Sequence, residues 1–185
     1  MKRYDYVIVG GGVAAASAAQ TLCAEGGQGS VLLLAAEPQL PYHRASLSKT
    51  FLSSESAESA HWVLDAAGYD KLGIEVRTGA AVTSVQPSRQ RLCINRKDEI
   101  AYGQLLLATG ASAQRLEIPG AGLAGIHLLH NLAEAQALRA SALQARRAVV
   151  IGGSFVGLEV AAALRQRGLA VTLIEHGQLL ESLAL

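Results

Sequence analysis

Apolar residues along this chain come in short continuous runs, each ended by glycine or by a charge. Tyr6-Val-Ile-Val9 stops at Gly10-Gly-Gly12, and a stretch of small residues follows at once. That pattern predicts a strand over 5–9, a tight turn, and a helix over 13–24 with its stop at Gly26. Val31-Leu-Leu-Leu34 reads as a strand buried on both faces of a parallel sheet. A proline-containing connector follows from Pro38 to Lys49, too long for a simple turn and therefore a candidate functional loop. Residues 53–60 are rich in Ser, Glu and Ala and predict a mobile surface segment. A short helix is expected over 65–72. Strands over 74–78, 81–86, 91–95 and 100–102 form a small antiparallel excursion, and a separate buried parallel strand over 104–108 ends in Thr109-Gly110.

Past Ile118-Pro119-Gly120 the pattern restarts. A helix is predicted over 133–143, a strand over 148–151, a turn Gly152-Gly-Ser154-Phe-Val-Gly157, a helix over 158–166 and a strand over 170–174. The fold class is therefore α/β. A Rossmann-like domain over 1–117, a parallel sheet with its antiparallel excursion, is followed over 118–185 by the first βαβ unit of a second Rossmann-like domain.

Strand, glycine turn and helix in that order are the opening of a dinucleotide-binding unit. Gly10 makes the turn, Gly12 lets the backbone approach a pyrophosphate, and Ala15 keeps the helix near the strand. The helix N-terminus supplies N–H donors and the positive end of its dipole. Glu37 stands where such units place an acceptor for a ribose hydroxyl. The second unit repeats the design with Gly152, Ser154 and Gly157, and Glu175 follows Gly152 by 23 residues. Two complete units predict two dinucleotides and electrons passing between them.

Composition narrows the alternatives. Half of the 185 residues are hydrophobic, 17% are charged and the net charge is +1, which suits a packed core and excludes a nucleic-acid or charged-membrane surface. Cys23 and Cys93 are far apart and form no Cys-x-x-Cys pair, and the five histidines show no ligand spacing, so no metal is expected. Asp5 and the glycines break what could pass for a signal peptide after Lys2 and Arg3, and no apolar stretch is long enough to span a bilayer. A cytoplasmic setting is expected.

Four blocks carry a resemblance to a known family: VIVGGGVAAASAA at 7–19, PYHRASLSK at 41–49, LLLATGA at 105–111 and VVIGGSFVGLEVAA at 149–162. The chain resembles the ferredoxin-reductase branch of the FAD- and NAD-dependent pyridine nucleotide-disulfide oxidoreductases, the putidaredoxin-reductase-like and apoptosis-inducing-factor-like flavoproteins. The resemblance implies FAD on the first unit, NAD on the second, hydride transfer from NADH to FAD, and a ferredoxin-type iron–sulfur protein as electron acceptor. It implies that Arg44 and Lys49 lie along the flavin, that Val82 carries the adenine, and that Ala108, Thr109 and Gly110 return the chain to the cofactor. It further implies that Glu159 faces the nicotinamide side and pairs with Lys49, the two being the catalytic residues. Glu175, with no arginine beside it, implies NADH in preference to NADPH.

This sequence departs from the family's pattern at Ala45 and Ser46, where prolines are usual, at Ala113-Gln114, where Pro-Arg is usual, and at Ser154, where glycine is usual. The resemblance also implies a further C-terminal half, and residues 181–185 read as a chain that continues. The alternative reading is therefore a truncated, inactive nucleotide-binding fragment. A flavin-dependent hydroxylase shares the first glycine turn, but the second βαβ unit argues against it.

Overall fold

The computed structural model describes residues 1–54, 61–177 and 180. In chain order its first half holds β1 (Lys2–Val9), α1 (Val13–Ala24), β2 (Val31–Leu34), α2 (Thr50–Ser53), α3 (Ala66–Lys71) and β3 (Ile74–Arg77). Next come β4 (Val82–Gln86), β5 (Arg91–Ile94), β6 (Asp98–Leu107), α4 (Leu132–Gln144), β7 (Arg147–Ile151), α5 (Phe155–Gln166) and β8 (Ala170–Ile174). They form two compact units: residues 1–43 with 61–111, and the described residues of 44–60 with those of 112–185. Residues 55–60, within the expected mobile segment, and residues 181–185 lie outside the described residues.

The first unit is built on a six-stranded sheet ordered β3-β2-β1-β6-β5-β4. β1, β2, β3 and β6 pair in parallel, so the strand expected over 74–78 belongs to the parallel sheet beside β2 and not to the antiparallel excursion, while β4 and β5 extend the sheet antiparallel beyond β6. All four residues of β2 are buried, as its apolar run predicts. Strand alternation sends them to two cores. Leu32 and Leu34 pack with Tyr4, Val7, Val9, Leu92 and Ile100. Val31 and Leu33 pack with Ile8, Ile74 and Ala15, Ala16 and Ala19 of α1. Those three alanines are fully buried, so α1 lies close on the sheet because its inner face has almost no side chain.

Two predicted strands prove to be one. The segments read as 100–102 and 104–108 are halves of the ten-residue β6. Its first half pairs with β5 and with β1 at once, as Arg91 with Ala101 and Lys2 with Ile100. Gly103, read as a break, is a close approach: a Cβ there would stand 2.7 Å from the Asp5 carbonyl oxygen. β1 likewise starts three residues earlier than predicted, at Lys2, because β6 offers it a partner there.

In the second unit β7 and β8 pair in parallel, with Arg147 opposite Ala170 and Ile151 opposite Ile174. Ala148, Val150 and Val171 turn inward onto a core of Leu52, Ala142, Val160, Ala163, Leu164 and Leu169. The connector read as a loop is ordered. Arg44–Ser46 makes a 3₁₀ turn and α2 follows, with Leu52 fully buried in that core. Arg167 ties the end of α2 to α5: its guanidinium donates to the carbonyls of Leu52 at 2.5 Å and Ser54 at 2.6 Å. α5 starts at Phe155, three residues earlier than predicted, because its first turn is made of Phe, Val and Gly, weak helix formers that give little sequence signal.

Candidate dinucleotide-binding sites

The three long helices start in two different ways. α4 satisfies its own N-terminus with a capping box: Asn131 accepts from the Glu134 N–H at 2.9 Å, and the Glu134 carboxylate takes the N–H groups of Asn131 and His130. α1 and α5 have no side-chain cap and no acidic residue in the first turn. Their Ncap residues are Gly12 and Ser154, the third residue of each glycine turn. The first N–H groups of these two termini therefore have no side-chain cap.

Both turns are shaped by close approach. A Cβ on Gly10 would collide with the carbonyl oxygen of Ala108 and come within 3.2 Å of Ala15 Cβ. The first turn is thus packed on its protein side by the strand end that leads into Thr109 and Gly110. Gly12 is the opposite case: a Cβ there would meet nothing within 4 Å, leaving open space beside the helix N-terminus. In the second unit a Cβ on Gly157 would collide with the Gly152 carbonyl oxygen, and Ser154 is exposed.

The two acids are held differently. Glu37 Oε2 accepts from the Tyr42 hydroxyl at 2.7 Å, and the Glu37 carbonyl accepts from the Gly79 N–H at 2.8 Å. Tyr42 is itself buried and meets Trp62 edge to face, so Glu37 is braced by the core. Glu175 turns its carboxylate onto the backbone of its own unit. It accepts from the N–H of Gly153, from His176 at 2.7 Å and from Gly177 at 3.3 Å. These bonds, Gly153 first, hold its carboxyl below the usual carboxylate range, so it stays an ionised acceptor. Val82 opens β4 beside a register shift between Val82 and Ser84, half-buried.

The second unit also gathers a charged pair. Lys49 Nζ lies 3.4 Å from Glu159 Oε1, within the reach the resemblance implies. The other oxygen, Oε2, accepts from the Ser48 hydroxyl at 2.5 Å. The Lys49 side chain is 56% exposed, and a pair of that kind contributes about 0–1 kcal/mol. A hydrogen bond to a charged group contributes about 1.5–3 kcal/mol, so Ser48 is the stronger hold on Glu159. Arg44 points its guanidinium at the His130 carbonyl, 2.8 Å away. Sequence reasoning passed over Tyr42 and Ser48. The signal for either was its place in the PYHRASLSK block, beside Arg44 and Lys49.

Residues 4–183 match the family described as pyridine nucleotide-disulphide oxidoreductase. The chain belongs to this family. Among its curated relatives is the biphenyl dioxygenase system ferredoxin–NAD(+) reductase component of Paraburkholderia xenovorans, 39% identical over 92% of this chain and 41% of that protein. Another is the rubredoxin–NAD(+) reductase of Pseudomonas putida, 40% identical over 91% of this chain and 44% of the relative. In structure it resembles a chain of the covalent putidaredoxin reductase–putidaredoxin complex, with TM-score 0.89 and 30% identity, covering 98% of this chain and 45% of that one. The chain therefore spans less than half the length of these relatives.

Proposed function

We propose that the protein is an FAD-dependent NADH oxidoreductase of the ferredoxin-reductase type, working in the cytoplasm and passing electrons to a ferredoxin-type iron–sulfur protein. The observation that carries the reading is the pair of helix N-termini without side-chain caps on glycine turns, each unit having a carboxylate after its second strand. The names of the relatives support the chemistry, and the free Cys23 and Cys93 suit a reducing compartment. The first turn fits FAD, because its Gly12 side is open and its acid is already oriented. When bound, FAD supplies a two-electron acceptor for hydride that can release electrons one at a time.

The residues of this chain bind and orient. The N–H groups at the start of α1, next to Gly10, Gly12 and Ala15, take the FAD pyrophosphate, and Glu37 accepts from its ribose. Val82 and the 108–110 turn complete the adenine and flavin contacts, with Arg44 and Lys49 as the positive groups along the cofactor. Gly152, Ser154 and Gly157 take the NADH pyrophosphate, and Glu159 meets the nicotinamide side. Glu175 accepts from a free 2′-hydroxyl and repels a 2′-phosphate, which favours NADH over NADPH.

The test uses two charge insertions. Aspartate is a good helix Ncap, so Gly12→Asp and Ser154→Asp should leave the protein folded. At the same time each sets a negative charge against a phosphate. Gly12→Asp is expected to lose the flavin absorbance of the purified protein while keeping NADH binding, and Ser154→Asp the reverse. A protein that retains flavin with Gly12→Asp overturns the assignment. Binding of NADPH as tight as NADH refutes the role of Glu175. The second reading, nucleotide binding without turnover, is favoured by the exposed apolar residues on β7 and β8. It predicts both cofactors bound and no reduction of the acceptor.

A further inference from the structure

We propose that Ser48 is a positioning residue for Glu159, setting the carboxylate that the nicotinamide half of NADH meets; this rests on the NAD reading of the second unit. Among the described residues, Ser48 is the lone buried one of the Ser, Thr, Asn, Gln, His and charged types, at 5% exposure. A buried hydroxyl needs a partner, and this one gives its single donor to Glu159 Oε2 at 2.5 Å.

The position of Ser48 is itself fixed. Leu47 before it is 2% exposed, and Phe51 and Leu52 after it are buried. The Lys49 N–H bonds the Ser46 carbonyl at 3.2 Å, and the Ser53 N–H bonds the Lys49 carbonyl at 2.9 Å. A hydroxyl set by a single torsion, χ1, from so constrained a backbone has little freedom. Lys49 differs: its ammonium ends a flexible four-carbon stem, over half exposed, and reaches the other oxygen of Glu159 at 3.4 Å. Consecutive residues thus grip both carboxylate oxygens. The rigid grip is the serine's, and the lysine's is the adjustable one. With Ser48 absent, the attraction to Lys49 would still keep Glu159 nearby but would not set the plane of its carboxylate.

The experiment compares binding of NADH with that of ADP-ribose, which has the same pyrophosphate and lacks the nicotinamide. Ser48→Ala should weaken NADH about tenfold, the order expected for one hydrogen bond to a charged group, and leave ADP-ribose unchanged. Ser48→Thr, which keeps the hydroxyl, should restore NADH binding. In a Glu159→Gln background Ser48→Ala should have no further effect. A purely structural serine would weaken both ligands together. If Ser48→Ala weakens both equally or neither, or adds its full effect to Glu159→Gln, the proposal is overturned. If the parent protein binds neither NADH nor ADP-ribose, the NAD reading fails and the proposal falls with it.

Discussion

Three donors converge on the carboxylate of Glu75. Lys2 Nζ and the Tyr4 hydroxyl reach Oε2, each at 2.8 Å, and Arg77 Nε reaches Oε1 at 2.9 Å. Lys2 also lies 4.7 Å from the centre of the Tyr4 ring. The cluster ties β1 to β3 across the buried β2. Burial works to raise the Glu75 pKa, but the hydrogen bonds from Lys2, Tyr4 and Arg77 outweigh it and draw it down to about 2, from an ordinary 4.5. The stability this group contributes is present above about pH 4.5 and lost as pH falls through about 2. Glu75→Gln should therefore destabilise the protein near neutrality, and the gap to the parent should close between pH 4.5 and 2. Urea unfolding across that range checks it, and a gap independent of pH refutes it. The cluster was not legible in the sequence, because Lys2 and Glu75 are 73 residues apart and meet only through sheet order.

The two glycine turns share one motif but differ in sequence at its third and sixth positions, and packing explains the second difference. Ala15 and Gly157 hold the same place in their motifs. Ala15 fits, fully buried, where the helix stands just far enough from Gly10. At Gly157 the Gly152 carbonyl occupies the space a methyl would need. Gly157→Ala should destabilise the protein by about 1–3 kcal/mol despite the better helix propensity of alanine, as overpacking against backbone does. It should also weaken NADH binding, because the turn must open to admit the methyl. Thermal unfolding with an NADH titration tests both, and unchanged values would show that α5 can shift freely. Elements with a clear local pattern, such as the apolar run of β2 and the small-residue run of α1 behind its glycine turn, were legible. α2 was not, because four residues carry no periodicity and only its burial of Leu52 makes it an element.

In the two-stranded sheet of the second unit one face is covered by described residues and the other is exposed among them. Val149 is 61% exposed, Ile151 59% and Ile174 51%, while their neighbours Val150 and Val171 pack inward. Parallel strands ordinarily have both faces covered, and three such side chains in one patch promote association. Replacing all three by threonine keeps strand propensity and removes apolar surface. The triple variant should bind less of a hydrophobic dye and stay soluble at higher concentration, with an unchanged far-UV spectrum. Equal dye binding would show that the face is already covered in solution. No described helix is long and apolar enough to cross a membrane.

The sequence by itself determined the local plan: runs that become buried strands, small-residue helices behind glycine turns, and an acid after each second strand. These are read from neighbours along the chain, where period and spacing suffice. Tertiary structure alone decided which groups meet across long separations. It merged two strands into β6 around Gly103, brought the Ser48 hydroxyl onto Glu159, 111 residues away, beside the Lys49 pairing that the family resemblance implied, and closed the Glu75 cluster. It also supplied the reason that one turn carries Ala15 where the other carries Gly157: the Gly152 carbonyl leaves no room for a methyl there. Such outcomes depend on distances of a few ångströms between distant segments, which no one-dimensional pattern encodes.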